Sequence, residues 1–473
     1  MLSKALTINR RLFWAACLWL ASPVAFCQNN TLTLQAFLQQ VREQHPVSRQ
    51  AFLLQDQARA AMLAARGGFD PKLYGSLERK SFDGKNYFNF GEGGLKMPSW
   101  FGLEGKIGYN YARGTFLNPE NQLPADGQAV LGFSLSLLQG LLIDDRRANL
   151  FQARILQNTN EATRQAIQNE LMLEAAKSYW NWSLAQAWLR VYEDALVIAS
   201  TRLEGIRESW RQGDKPAIDT LEALIQVQDR TLQLNDARLL LRNSRLELQN
   251  FRWNNDAPVM PDTTLLPEAP GAGMFETDLL NAAADELAER HPLIRQYDFK
   301  LQELDVERRL KAEQLKPRLD LEYNLLGRGP DLTPDQNGNF TGLFRENYKL
   351  GVQFGFPLLL RKERGSLQLA DLKILDARYE RSHKQLEIKN KIVVYQNEIR
   401  TLRQQLQTAV EMRDNYARLL AGENEKFAIG ESSLFLVNSR ENKLIEANLK
   451  LLKLQAEIAK SAASLRWAAG LPD

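Results

Sequence analysis

Cysteine is nearly absent. The 473 residues hold two, Cys17 and Cys27, both within the first 27. A chain cleaved after that stretch has no thiol, which excludes disulfides, cysteine metal centres and cysteine nucleophiles. Histidine is rarer than tryptophan, three against nine. What remains supplies no Ser/His/Asp grouping, no phosphate loop and no His/Cys cluster with ligand spacing. No enzyme activity, cofactor or metal is therefore expected. A surplus of charge is missing as well: three of the 60 basic residues and none of the 57 acidic ones lie in residues 1–27, so the rest balances 57 against 57. That neutrality argues against nucleic acid as a partner. Beyond residue 27 no apolar run approaches the ~18–20 residues of a membrane helix. Any membrane crossing must then be made by strands, which points to a Gram-negative outer membrane.

The first 27 residues read as a secretory signal peptide. Lys4, Arg10 and Arg11 precede the apolar run Leu12–Leu20, and Ala21-Ser22-Pro23 follows. Cleavage is expected before Gln28. The alternative, a lipidated Cys27, is disfavoured by the bulk of Phe26 beside it.

The remainder is organised around a stretch that occurs twice. Leu131-Gly132-Phe133-Ser134-Leu135-Ser136-Leu137 alternates apolar with small or polar residues, the period of a strand, and switches to helical spacing from about Asp144. Leu350-Gly351-Val352-Gln353-Phe354-Gly355-Phe356 does the same before Arg361. Internal matches extend the correspondence: His45-Pro46 with His291-Pro292, Arg49-Gln50 with Arg295-Gln296, and Pro71 with Pro317, all at an offset of 246. Past the strands Ala153 answers Ala370 and Gly213 answers Gly430 at 217, so the first copy carries 29 extra residues. The reading is an internal duplication. The first repeat spans 28–255, with membrane strands at about 72–138, and the second spans 275–473, with strands at about 318–357. Between them 256–274 is rich in Pro and Gly.

Each copy predicts a helix pair broken at the His-Pro step, Leu34–Gln44 and Pro46–Ala65, then Asp278–Arg290 and Pro292–Leu315. Strands follow, then a helix of some 60 residues (Arg147–Arg211; Gly365–Phe427), a glycine-centred turn and a shorter returning helix (Ala217–Trp253; Leu434–Ala469). Sixty helical residues extend roughly 90 Å, too far for one compact core. Apolar stripes such as Leu173, Ala176, Trp180, Leu184 suit side-by-side coiled-coil packing, and four such rods imply oligomerisation. In the second copy Leu319, Leu321, Tyr323 and Leu325 alternate with Asp320, Glu322 and Asn324 over about nine residues, enough to cross a bilayer when tilted. Phe101–Tyr111 and Tyr87–Met97 add a hairpin to the first copy, either inside the barrel wall or outside it. His45 and His291 are read as helix-junction residues rather than ligands. Trp180, Trp182 and Trp188 are read as packing between rods, with tunnel lining the alternative. Asp144-Asp145 are read as helix-start acids. Arg146-Arg147 and Arg361-Lys362 are assigned to lipid head groups, a solvated face being the alternative.

The helix–strand–strand–helix unit, used twice in an exported chain, resembles the TolC family of outer-membrane efflux channels over nearly the whole mature length. The most specific marks are the strand-to-helix corners and the turns Arg211-Gln212-Gly213-Asp214 and Ala428-Ile429-Gly430-Glu431, the first followed by Asp219-Thr220-Leu221. The resemblance implies a mixed fold, a transmembrane β-barrel shared between subunits and continued by a long α-helical coiled-coil barrel. It implies a homotrimer with twelve barrel strands, or eighteen if the added hairpin joins. It also implies a passive exit duct for small molecules, working with a periplasmic adaptor protein and an inner-membrane pump and bounded by outer-membrane lipid. Gly213, Asp214, Gly430 and Glu431 would then form the periplasmic tips that meet the adaptor. Many members constrict the entrance with acids six and nine positions past the second tip glycine. Here those positions hold Leu436 and Ser439, while the first-copy equivalents are Asp219 and Glu222, which either form a carboxylate ring or simply start a helix. The rival function, from another class, is a periplasmic coiled-coil adaptor or structural tether.

Overall fold

The computed structural model describes residues 31–260, 262, 264–271, 277–328 and 347–471. Residues 1–30, with the expected signal peptide and both cysteines, lie outside the described residues, as do Pro261, Gly273 and 329–346, which hold most of the expected loop.

The chain starts with β1 (Thr31–Leu32), α1 (Leu34–Gln44) and α2 (Pro46–Arg66). Thr33 caps α1 by accepting from the Ala36 amide at 3.2 Å. His45 ends one helix and begins the next: its amide donates to Val41 O, and its Nδ1 accepts from the Val47 amide at 3.2 Å. Pro46 then occupies the first helical position, where no amide donor is needed. Four strands follow, β2 (Lys72–Phe82), β3 (Lys85–Pro98), β4 (Leu103–Arg113) and β5 (Gln128–Ser136). Next come α3 (Asp145–Arg211), 67 residues and so about 100 Å long, and α4 (Ala217–Gln249).

Helix α4 stops short of the expected Trp253. The hairpin β6 (Trp253–Asn254) to β7 (Ala257–Pro258) takes over, its turn made by Asn255 and Asp256 at positive φ. Strand β8 (Leu266–Pro267) pairs in parallel with β1. The single helix expected over Asp278–Arg290 is two, α5 (Thr277–Asn281) and α6 (Ala284–Arg290). The break is held from outside: Gln396 donates to Leu279 O and Ala282 O, and Arg400 to Leu280 O. Side chains thus satisfy carbonyls that a continuous helix would have paired itself. After His291 come α7 (Pro292–Glu313), β9 (Arg318–Arg328), β10 (Tyr348–Gly355), α8 (Arg361–Ala428) and α9 (Leu434–Ala468). No described helix is long and apolar enough to cross a membrane.

The strands make one antiparallel sheet in the order β10-β9-β5-β4-β3-β2. The added first-half hairpin, β3 and β4, lies in this sheet, between β2 and β5. The halves join where β5 pairs with β9, and β2 and β10 are left as edges.

The core is strung along the rods rather than gathered. Phe37, Val41, Met172, Tyr179, Trp180, Trp182 and Leu248 form the largest cluster, so Trp180 and Trp182 pack between helices and do not line a tunnel. The Tyr179 hydroxyl donates to Leu32 O at 2.6 Å and accepts from the Glu268 amide at 3.0 Å, fastening the β1–β8 strap to α3. Smaller clusters continue through Ile392 and Ile399, then Leu454 and Ile458, to Leu203, Ile206, Ala223 and Leu434. The chain exposes 30264 Å², against about 18,000 Å² for a compact monomer of this mass. Much of the excess is apolar and periodic. Ile218, Ile225, Leu232, Leu239 and Leu246 recur every seventh residue on α4, all exposed. Leu372, Tyr379, Leu386 and Val393 do so on α8.

Candidate functional site

Two regions carry the features that the sequence singled out, the sheet and the hairpin tips at the far end of the rods. Alternation along each strand, combined with the pairing register, sorts the sheet into rows. One face carries Leu73, Leu95, Ile107, Leu131, Leu325 and Tyr348 side by side across all six strands. Further along the same face lie Leu103, Leu135, Leu321 and Val352. Leu73 is 85% exposed and Tyr348 60%, so among the described residues nothing covers these ends of the greasy face. The opposite face carries Lys72, Lys96, Lys106, Gly132, Asn324 and Lys349 in one row. The next row toward the helices holds Glu104, Ser134 and Glu322.

The corner between β5 and α3 corrects one expectation. Asp144 caps α3, accepting from the Arg147 amide at 2.9 Å. Arg147 is buried, ion-paired to Asp144 at 3.1 Å and donating to Leu141 O at 2.8 Å and to Gly140 O. It braces the corner and faces no lipid, because the turn's carbonyls need a donor. Arg146 reaches Glu104 at 3.3 Å. Arg361 and Lys362 are exposed.

At the other end α3 and α8 stop in the same way. Gly213 and Gly430 adopt φ of +85° and +82°, a conformation glycine takes at little cost. The Gly213 amide donates to Trp210 O and that of Asp214 to Ser209 O; Gly430 to Phe427 O and Glu431 to Lys426 O repeat the pattern. These paired bonds satisfy the last helical carbonyls. The two turns lie together, since Lys215 Nζ sits 4.6 Å from the centre of the Phe427 ring. Gly213, Asp214, Gly430 and Glu431 are all exposed.

Asp219 and Glu222 lie in the first turns of α4, both half-buried. Glu222 accepts from Asn438 at 3.1 Å. Leu436 is exposed and Ser439 half-buried on α9. Around them is a polar seam that the sequence reading missed. Arg202 donates to Asn438 at 3.1 Å and pairs with the buried Glu441 at 2.5 Å. Arg230, 2% exposed, donates to Asn442 and to Gln233, and Gln226 donates to Asn442 at 3.1 Å. Asn438, Glu441 and Asn442 sit at helical spacing inside an otherwise apolar stripe that includes Val437 and Ile445. Polar residues at core positions of a rod were the available signal.

His45 and His291 are structural. His291 Nδ1 accepts from the Leu293 amide at 3.1 Å and its Nε2 lies 3.2 Å from Trp467 O, the counterpart of His45 Nε2 and Asn250 O. Burial lowers both rings, His291 to about 4.

The sequence matches the family model described as "Outer membrane efflux protein" over residues 37–251 and 283–471. No curated protein matches it. Among solved structures it is similar to the open state of the MtrE outer membrane channel of Neisseria gonorrhoeae (TM-score 0.67, 15% identity, 93% of this chain and 89% of that one). The CmeC outer membrane channel of Campylobacter jejuni gives 0.65 at 15% identity, covering 93% and 86%. The outer membrane protein VceC of Vibrio cholerae gives 0.65 at 14%, covering 92% and 96%.

Proposed function

This chain belongs to the outer membrane efflux protein family, and from that premise we propose that three copies of it close one shared barrel. The protein is a passive efflux channel of the outer membrane that extends into the periplasm, and it is not an enzyme. The observation that carries the shared barrel is the sheet: a bare apolar face, a polar face, and two open edges, β2 and β10. In lipid an open edge leaves backbone donors and acceptors unpaired, and closure removes that cost. Pairing β2 of each copy with β10 of the next yields eighteen strands from three six-stranded sheets. Barrel diameter grows with strand number, so this wall would be wider than one built from four strands per chain. The exposed heptad stripes on α4 and α8 would meet in the same assembly, joining twelve rods into a hollow cylinder. We also read the two halves as copies of one unit, and residues 1–27 as the signal that exports it.

The tips are the surface for a periplasmic adaptor, which would link the duct to an inner-membrane pump. Gly213, Asp214, Gly430 and Glu431 project there, and among the described residues a Cβ on either glycine would meet nothing within 4 Å. Asp219, Leu436 and Ser439 lie close to the mouth, while Glu222 is drawn into the seam by Asn438. The seam of Arg202, Arg230, Glu441 and Asn442 holds the two hairpins together and would set how far the mouth opens.

Outer-membrane fractions extracted with detergent and run without boiling test this reading. A band at three chain masses that collapses on heating is expected. A chain released by osmotic shock without detergent would favour the periplasmic tether instead.

A further inference from the structure

We propose that the polar face of the sheet carries a lysine girdle that binds and favours anions, so that carboxylate- or phosphate-bearing cargo is preferred in the outer section of the duct. The proposal rests on the reading of that face as the lumen wall. Five successive strand pairings set Lys72, Lys96, Lys106 and Lys349 in one row with Gly132 and Asn324. In a barrel of tilted strands, one row of the sheet becomes one oblique band on the lumen wall.

The lysines are not spent on local acids. Among the described residues, no ion pair involves any of the four. The acids toward the helices are engaged: Glu104 with Arg146 at 3.3 Å, Asp320 with Arg318 at 2.5 Å, and Glu322 accepting from Asn324 at 2.9 Å. Among the described residues Glu322 has no cation on it; Glu92 lies two rows outward beside Asn110, and Glu78 three rows outward with Lys80 in the row beyond. Five ammonium groups outside any ion pair among the described residues, against these three carboxylates, leave this face of each chain net positive.

The belt is also shaped. Tyr74 lies flat across β3 and β4, where a Cβ on Gly94 or Gly108 would come within 2.9 or 2.7 Å of its hydroxyl. Lys96 Nζ stands 5.0 Å and Lys106 Nζ 5.5 Å from the centre of that one ring. A single aromatic ring thus seats two cations. Their mutual repulsion is relieved by an anion between them. Among the described residues the Tyr74 hydroxyl has no hydrogen-bond partner, so ring packing over the two glycines sets its position. A one-sign belt with low-dielectric walls concentrates counter-ions, and rings of lysine make pores anion-preferring.

The test uses the full-length assembly in planar lipid bilayers, with the reversal potential measured across a potassium chloride gradient. Replacing Lys96 and Lys106 together by Gln, and separately Lys349→Gln on the edge strand, should each lower the chloride-to-potassium permeability ratio, the pair by about threefold or more. Inorganic phosphate, added as a probe, should reduce chloride current in the parent and less so in the double variant. The comparison of variant with parent cancels any selectivity set at the tips. Channels whose permeability ratio is the same in parent and both variants would overturn the girdle while leaving the duct reading intact. Failure of the parent to form any channel would overturn the duct reading, and the girdle with it.

Discussion

His45 and His291 occupy equivalent corners and make the same two kinds of hydrogen bond, yet the strands that follow them differ in number. The first half adds β2, β3, β4 and β5, the second only β9 and β10. The rods and tips, by contrast, are near copies: helices of 67 and 68 residues end in the same bonded turn. Rod length and tip geometry must match because both hairpins end together, as Lys215 over Phe427 shows. A sheet carries no such constraint. A hairpin inserted between two strands widens the sheet and leaves the two rods nearly equal in length.

The strongest way to break this comparison is at the seam between halves. Gly132 lies on β5 opposite Asn324, and a side chain there would collide with Asn324 and come within 2.9 Å of Tyr323 O. At Gly351 on β10 the nearest described atom to such a side chain is Glu322 Cβ, at 3.8 Å. Gly132→Val should therefore cost about 4 kcal/mol and abolish the heat-sensitive oligomer band. Gly351→Val should stay within about 1 kcal/mol. Next is the polar seam near the tips, which also joins the halves. Glu441→Ala leaves Arg202, 17% exposed, without its carboxylate, a loss of about 3 kcal/mol to be read from thermal unfolding in detergent.

The histidines sharpen the comparison through pH. His291 is held near 4 by burial, while an unfolded chain titrates near 6.5. The folded state therefore binds fewer protons than the unfolded one in this window. Stability is unaffected above about pH 6.5 and falls as pH drops toward 4, by about 2 kcal/mol at about pH 5. His45 is the more exposed of the two, at 9% against 3%, so its corner should lose less. Amide exchange at the two corners, compared between neutral and acidic buffer, separates them.

Much of this was legible in the sequence, for identifiable reasons. Alternation marked the strands, the His-Pro steps marked the helix breaks, and Gly213 and Gly430 marked the tips, because period, proline and positive φ are local properties. The α5–α6 break was not legible, since it depends on Gln396 and Arg400 more than a hundred residues away. Arg147 was misread for the same reason: a basic residue beside a strand end suggests head groups until the corner's carbonyls are in place. The lysine row needed register, which no single strand reveals. The added hairpin could be seen, but its place in the sheet required the β4–β5 pairing.

The smallest structural effect falls on the tips, the surface proposed above for the adaptor. Neither Gly213 nor Gly430 has any atom near the position of a Cβ, so Gly213→Ala and Gly430→Ala lose only the left-handed conformation, about 1 kcal/mol each. Unfolding should hardly register it, and oligomers should form. Export should nevertheless fall if the turns meet an adaptor, because a docking partner reads turn shape directly. The turns also differ in chemistry: Arg211, Asp214 and Lys215 surround one, Glu431 and Ser432 the other. Equal loss of efflux in both alanine variants would mean that the adaptor engages both hairpins alike. Loss in one alone would locate its contact there, and unchanged efflux in both would remove the tips from the interface.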